Sequence, residues 1–316
     1  MSKILVTGGA GFIGSNLVDE LVSQGHEVLV IDNLFSGKEE YLNTRAKFFR
    51  VDICDPELER IFSQETQEGK IDFIFHLAAQ INVGKSVADP VEDNRINVLG
   101  GLNVLENCRK FGVKKIVFAS TGGAIYGQDA PVPTKEDCLP APISPYGIHK
   151  LTFEKYLNYY RKVFGQDYTV LRFANVYGPR QFKGGESGVI ANFVDNAVNG
   201  IKSTINGDGS QTRDFVYVGD VVRALIKALE TDYAGEINIG CGQEINILSL
   251  VEAVEAALGK KIVKEHGPAK AGEQMRSCLD CTLAEKILAW RPQTCLEQGI
   301  KETMAWSMEN LIKKKK

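Results

Sequence analysis

Tyr146 and Lys150 stand four residues apart in Ser144-Pro145-Tyr146-Gly147-Ile148-His149-Lys150, which opens a helical pattern continuing through Leu151, Tyr156 and Leu157. That spacing sets both side chains on one helix face. A free tyrosine titrates near ~10, too high for a base at neutral pH. A neighbouring ammonium favours the phenolate and brings it toward working range. Upstream, Ser120-Thr121-Gly122-Gly123-Ala124-Ile125-Tyr126-Gly127 closes an apolar strand. It delivers hydroxyls to the carboxyl edge of a sheet, where ligands bind in open α/β folds. A hydroxyl from Ser120 or Thr121 could share a substrate proton with the tyrosine. Tyr126 reads as a packing residue, His149 as a flanking helix residue and His76 as a satisfied core histidine. Neither histidine has carboxylate company that suggests a triad.

A second chemical signal opens the chain. In Ile4-Leu5-Val6-Thr7-Gly8-Gly9-Ala10-Gly11-Phe12-Ile13-Gly14 an apolar strand runs into glycines at 8, 11 and 14, and a helical pattern starts at once, stopping near Gly25. Such glycines allow a tight turn and close approach of backbone N–H groups to a pyrophosphate, whose charge then sits at a helix N-terminus. Asp32 follows 18 residues past Gly14, at the end of the next apolar run. A carboxylate there accepts hydrogen bonds from both ribose hydroxyls and repels a 2′-phosphate. Asn33-Leu34-Phe35-Ser36 supplies no arginine to receive one, which points to NAD rather than NADP. Asp52, after a further strand, reads either as an adenine-end contact or as a helix N-cap.

The elements that must position these groups are legible as alternation. Ile4–Thr7, Val28–Ile31, Ile71–Leu77, Ile116–Ala119 and Thr169–Phe173 are short apolar runs of the kind buried on both faces. Helical segments with three- and four-residue apolar spacing lie between several of them. The fold class this implies is α/β: a Rossmann-type doubly wound parallel sheet with a smaller C-terminal substrate lobe. The expected division is 1–175 for the nucleotide domain and 176–316 for the lobe, with a segment at about 214–241 returning to the first domain.

Composition narrows the partners. The 316 residues carry 37 Lys+Arg against 40 Asp+Glu, a formal charge of −3, so no field selects nucleic acid or an anionic membrane. No apolar run reaches the ~18 residues of a membrane span, and the N-terminus enters strand-like sequence without a secretory pattern. Seven scattered cysteines suit reduced thiols in the cytoplasm. Cys278 and Cys281 form one C-x-x-C without a second pair, read as chance spacing, and no metal site is expected. The terminal run Lys313 to Lys316 reads as a solvated helix end.

Together TGGAGFIG, the Tyr–Lys pair and the hydroxyl-bearing strand end resemble the extended short-chain dehydrogenase/reductase superfamily. The resemblance runs nearly end to end, through HLAAQ (76–80), NVLGGLNVLE (97–106), ANVYGPR (174–180), TRDFVYVGDV (212–221) and NIGCG (238–242). The STGGAIYG and SPYG segments are similar to those of its bacterial and archaeal UDP-glucose 4-epimerase branch. Sugar-nucleotide 4,6-dehydratases of the superfamily carry an acid where this chain has Gly122-Gly123, and fucose-synthase-like members need a Cys/His arrangement that is missing from this segment.

The resemblance implies reversible inversion at C4 of a UDP-hexose. Hydride passes from C4 to bound NAD, the 4-keto sugar turns over its other face, and hydride returns. It implies Thr121, Tyr146 and Lys150 as the catalytic set, with Ser120 in reserve because many epimerases have serine within the Gly-Gly segment. NAD would be held by Gly8, Gly11, Phe12, Ile13, Gly14, Asp32, Asn33, Asp52, Ile53, Leu77, Ala78, Ala79, Gln80, Asn97, Tyr146, Lys150 and Phe173. The UDP-sugar would be held by Ser120, Thr121, Asn175, Val189, Arg213, Lys270 and Ser277. Asn175 and Arg213 suit the diphosphate and Val189 the uracil. Their structural alternatives are a turn residue for Asn175 and an ion pair with Asp214 for Arg213. Lys270 replaces an arginine of the family pattern, so the diphosphate contact could pass to Arg276. Ser277 is small where some glucose-restricted members have tyrosine, leaving room for an N-acetyl group. Relatives commonly dimerise through two helices per subunit, here Leu99–Cys108 and Lys150–Tyr160. The alternatives are another nucleotide-sugar epimerase, such as one acting on UDP-glucuronate, or a non-catalytic NAD-binding regulatory protein.

Overall fold

The computed structural model describes residues 1–181, 188–269 and 274–314. Lys270 therefore lies outside the described residues, as do Ala271 to Glu273 and the last two lysines. Strands β1 (Lys3–Thr7), β2 (Glu27–Asp32), β3 (Lys47–Arg50), β4 (Phe73–His76), β5 (Lys115–Thr121) and β6 (Asp167–Phe173) come from the first half of the chain. Of the shorter strands, β7 (Asn175–Tyr177) pairs with β10 (Phe215–Tyr217), β9 (Thr212–Arg213) with β12 (Ile245–Asn246), and β8 (Ser203–Asn206) with β13 (Lys264–Gly267). The remaining strand, β11 (Glu236–Ile239), returns to the main sheet beside β6.

That sheet has seven strands in the order β11-β6-β5-β4-β1-β2-β3, every pair parallel. This is the doubly wound arrangement read from the alternation. Its switch in strand order lies between β1 and β4, the crevice where such folds bind ligands. All five apolar runs read from the sequence are in it. They are short and continuous because helices cover both faces, so neither face alternates with polar residues.

The helices are α1 (Phe12–Ser23), α2 (Glu57–Gln67), α3 (Val83–Ala88), α4 (Pro90–Asn94), α5 (Gly101–Phe111), α6 (Gly122–Ile125), α7 (Pro145–Phe164), α8 (Val189–Asn199), α9 (Val218–Glu230), α10 (Ile247–Leu258), α11 (Thr282–Leu288) and α12 (Leu296–Lys314). One buried cluster joins α1, α9 and α11 to one sheet face, through Leu17, Leu21, Val221, Leu225 and Leu288. The other joins α2, α5 and α7 to the opposite face, through Ile61, Leu105, Phe153 and Leu157. A third holds α8, α10 and α12 together beyond the sheet, around Phe193, Leu250 and Ile300. The later chain thus crosses back twice: α9 with β11, and then α11 with the buried Trp290, whose indole N–H donates to the Asp220 carbonyl at 2.9 Å.

The helix of the Tyr–Lys pair is set by local chemistry at its start. Ser144 accepts from Gly147 N–H at 3.2 Å, and Pro145 occupies the first turn, where its missing N–H costs nothing. Deeper in, α7 is bolted to the sheet by charge. Glu154, fully buried, receives Arg172 of β6 in two hydrogen bonds of 3.0 and 2.6 Å, and Ser120 of β5 donates to it at 2.6 Å. The third arm of Arg172 donates to Tyr126 Oη at 2.9 Å, and Tyr126 donates onward to Asn238 Oδ1 of β11 at 2.8 Å. Removing one member leaves a buried charge uncompensated. Glu154→Gln and Arg172→Met are each expected to lower stability by about 3–5 kcal/mol, read as a shifted urea midpoint at unchanged slope. A loss below about 1 kcal/mol, the size expected of a surface pair, would contradict the role given to this pair.

Candidate active site

The glycine turn works through close approach. Gly8 has a φ of +74°, and a Cβ there would lie 2.7 Å from the Ala78 nitrogen; one on Gly14 would lie 2.1 Å from the Gly8 carbonyl oxygen. No side chain caps α1 at Gly11, so its first-turn N–H groups remain for an anion. A cleft of about 730 Å³ opens above this turn. Gly8, Gly11, Asp32, Asn33, Asp52, Ile53, Leu77, Ala78, Ala79 and Gln80 line it. Asp32 accepts from Ala10 N–H at 3.0 Å through one oxygen and from Leu34 N–H at 2.8 Å through the other. Each oxygen keeps acceptor capacity for a ribose hydroxyl. Burial pushes its carboxyl above the ordinary range, against those two backbone donors. The residues present therefore fit a dinucleotide. Asp52 is not a helix cap. It accepts from Cys54 N–H at 2.8 Å and from the Asn33 amide at 2.9 Å. Burial raises its pKa, but these donors outweigh burial and leave it lowered.

A narrow cavity of about 80 Å³ continues from this cleft past Phe12, Ile13, Gly14, Tyr146, Lys150 and Phe173. It leads to a chamber of about 590 Å³ lined by Ser120, Thr121, Tyr146, Asn175 and Val189. Tyr146 therefore stands at the meeting of two spaces, one suited to a cofactor and one to a substrate. Lys150 is buried beneath it. Its ammonium donates to the Ala119 carbonyl at 2.9 Å and sits 6.0 Å from the centre of the Tyr146 ring. Thr121 ends β5 beside the tyrosine, whereas the Ser120 proton is directed to Glu154. His76 is a buried histidine, 2.8 Å from Thr7 Oγ1; burial and the Lys150 ammonium push it down to about 3, so it is neutral.

Other sequence candidates sit elsewhere. Asn97 does not border the cleft; it is buried behind Gln80 and bonded to its backbone. Asn175 opens β7 rather than a turn and donates to the Asp214 carbonyl at 3.1 Å. Arg213 lies on β9 and donates to the Thr212 carbonyl at 2.7 Å. The Asp214 carboxylate turns inward to accept from the N–H groups of Cys241, Gly242 and Leu279. Arg276 pairs with Glu244 at 2.9 and 2.5 Å. Ser277 is buried and borders none of the three spaces. The reading that neither histidine has carboxylate company is corrected for His149, whose Nδ1 lies 2.5 Å from Asp93 Oδ2. Those residues are 56 apart in sequence, so helical spacing gave no sign of them. Sequence reasoning also missed Ile81 and Asn82, which follow the HLAAQ segment, and Gln181, which follows ANVYGPR; all three line the chamber. The Cys278-x-x-Cys281 pair is free thiols, and no group among the described residues could hold a metal ion.

Residues 4–240 match the NAD dependent epimerase/dehydratase family. The chain belongs to that family. It is 42% identical over 308 residues to a putative UDP-glucose 4-epimerase of Methanocaldococcus jannaschii, covering 97% of this chain and 99% of the other. It also superposes on two solved structures. One is a UDP-glucose 4-epimerase of Thermotoga maritima with UDP-glucose, at a TM-score of 0.94 and 46% identity, covering 98% and 99% of the two chains. The other is a UDP-glucose 4-epimerase of Thermus thermophilus with NAD, at a TM-score of 0.89 and 41% identity, covering 96% and 98%.

The pairing of Arg276 has a pH signature. Hydrogen bonds from Arg276 and then Thr212 hold the Glu244 carboxyl at about 2, below its ordinary 4.5. A carboxyl lowered on folding contributes stability in full above pH 4.5 and loses it as pH falls through 2. The stability difference between the unaltered chain and Glu244→Gln is expected to be constant above pH 4.5 and to vanish toward pH 2, followed by urea unfolding at each pH. A difference that stayed constant down to pH 2 would show that the pair is not formed in solution.

Proposed function

We propose that the chain interconverts UDP-glucose and UDP-galactose by inversion at C4 with NAD bound in the cleft above Gly8, Gly11 and Gly14. The observation that carries this reading is Tyr146 at the junction of the cofactor cleft and the chamber. NAD supplies a hydride acceptor that returns what it takes. Tyr146, assisted by Thr121, removes and restores the proton of the sugar hydroxyl, and Lys150 favours its phenolate. Asp32 holds the ribose, while Asn175, Arg213 and, by the family resemblance, Lys270 hold the diphosphate and Val189 lines the uracil site. Gly122 and Gly123 offer no carboxylate for water elimination, which separates the reading from a dehydratase.

The finer expectations belong here too. The chain works in the cytoplasm, a compartment its seven free thiols suit, and no helix among the described residues is long and apolar enough to cross a membrane. Near-neutral charge argues against a nucleic-acid partner. The chain is a homodimer, for Leu99 ahead of α5 and Ile148, Tyr156, Tyr159 and Val163 on α7 are exposed apolar residues on adjoining elements.

Incubation with UDP-glucose, UDP-galactose, UDP-N-acetylglucosamine and UDP-glucuronate, with products read by NMR, tests the activity. C4 inversion of the glucose pair is expected, and inversion confined to UDP-glucuronate would replace this reading with the other epimerase. Turnover of the N-acetyl sugar would show that the chamber has room for it without help from Ser277, which borders none of the three spaces. Tyr146→Phe should keep NAD and lose turnover by about 10²–10⁴-fold, the usual share of a general acid–base; unchanged turnover would refute its role. Light scattering should give a dimer that Tyr159→Glu separates, whereas a monomeric unaltered chain would refute the assembly.

A further inference from the structure

Ile81 borders all three stretches of the cleft: the cofactor groove, the narrow junction and the chamber. The sheet does not hold it, since β4 ends at His76. A knot of side chains does. Gln80 Oε1 accepts from Asn82 N–H at 2.6 Å, and Gln80 Nε2 donates to the Asn82 carbonyl at 3.0 Å and to Asp93 Oδ1 at 2.5 Å. Asn97 grips Gln80 from behind, accepting from its N–H at 3.0 Å and donating to its carbonyl at 2.8 Å; its amide also reaches Asp93 Oδ1 at 3.1 Å. Asn97 lies in a π-helical stretch, Arg95–Gly100, a local widening often found at functional sites.

One acceptor remains in this knot. Asp93 is 1% exposed, and its Oδ2 faces His149 Nδ1 at 2.5 Å. His149 stands between Tyr146 and Lys150 on α7. This contact adds a polar tie between the helix of the tyrosine, which also packs against α3, α4 and the π-helical stretch, and the wall that runs past cofactor and sugar. Both oxygens of the buried carboxylate are partnered in this arrangement, so removing the His149 ring leaves Oδ2 without its partner.

We infer that His149 and Asp93 are positioning residues that fix the Gln80–Asn82 wall against the helix of Tyr146, so that an oxidised sugar turns over in the chamber instead of escaping from it. The inference rests on the reading under Proposed function. In a completed turnover, hydride leaves C4, a proton leaves the hydroxyl, and both return to the sugar. In an escape, the hydride stays on the nicotinamide and the proton on the protein, while the 4-keto sugar enters solution. Loosening the wall raises the second outcome at the expense of the first.

The test uses the NAD-loaded protein and UDP-galactose, and reads kcat, KM and the near-ultraviolet band of reduced nicotinamide accumulated per turnover. In His149→Ala the reduced fraction per turnover is expected to rise by about 10–100-fold, with kcat falling and KM little changed, because a misplacement of ~1 Å can cost about 10²-fold. His149→Asn restores an N–H donor near the Nδ1 position and is expected to bring the reduced fraction back toward that of the unaltered chain. An unchanged reduced fraction in His149→Ala would overturn the inference, as would equal defects in both variants, which assign the loss to the ring's packing. Should His149→Ala fail to fold, His149→Asn alone decides: a reduced fraction near that of the unaltered chain supports the inference and a high one overturns it. Absence of turnover by the unaltered chain on any UDP-hexose would overturn the proposed function and this inference with it, whereas normal turnover with an indifferent His149 overturns this inference alone.

Discussion

The Glu154–Arg172 ion pair is the constraint on which the site depends. Glu154 follows Lys150 by one helical turn and Tyr146 by two, so all three lie along one face of α7. A carboxylate on that face could not be buried against the sheet without a partner, and Arg172 supplies a fork that matches both oxygens. Ser120 and Tyr126 satisfy the remaining capacity, so the network reaches β5 and β11 as well as β6. The pair is more a device of registration than of stability, for well-packed apolar residues could hold a helix on a sheet equally well. What they would not do is reject a helix shifted by one turn.

Registration matters here because the groups proposed to react come from different elements. The tyrosine is on α7, the hydroxyl of Thr121 at the end of β5, and the cofactor turn between β1 and α1. In the proposed reaction a proton leaves the 4-hydroxyl oxygen as a hydride leaves C4, and a misplacement of ~1 Å in the groups that receive them is costly. The same network explains why two adjacent hydroxyls are not equivalent. Both line the chamber, but Ser120 is part of the bolt, its proton given to Glu154, whereas Thr121 is not drawn into that network.

What was legible in the sequence was local. The glycine turn declares itself because steric rules act within a few residues: Gly14 is forced by the Gly8 carbonyl six positions earlier. Tyr146 and Lys150 are legible because one helix supplies their geometry, and the strands because burial on both faces leaves continuous apolar runs. What was not legible depends on partners brought together by the fold. Glu154 and Arg172 are 18 residues apart, and Asp93 and His149 are 56 apart. Arg213 and Arg276 were both plausible diphosphate ligands by charge, but only the fold shows that Glu244 sits beside Arg276. Ser277 looked like a lining residue by motif and proves to be buried away from the chamber, next to segments that pack on the sheet.

The Gly122-Gly123 pair shows how a fold can restrict chemistry as much as enable it. A Cβ on Gly122 would lie 2.6 Å from Leu279 Cδ1, so a side chain there has to displace a residue that is itself buried. A Cβ on Gly123 would meet only Thr121 Oγ1, at 3.9 Å. Two neighbouring glycines thus have opposite meanings: the first is required by packing and the second is open by choice. Space at 123 is available beside the Thr121 hydroxyl, so within this segment an acid or extra hydroxyl could be accommodated there without displacing a neighbour. With glycine in that place, the segment sets no carboxylate beside Thr121 and Tyr146 in the chamber, and under the proposed mechanism proton transfer falls to those two residues. A site with no third proton donor in this segment is suited to giving back what it removes from C4, and poorly suited to expelling water from the neighbouring carbons.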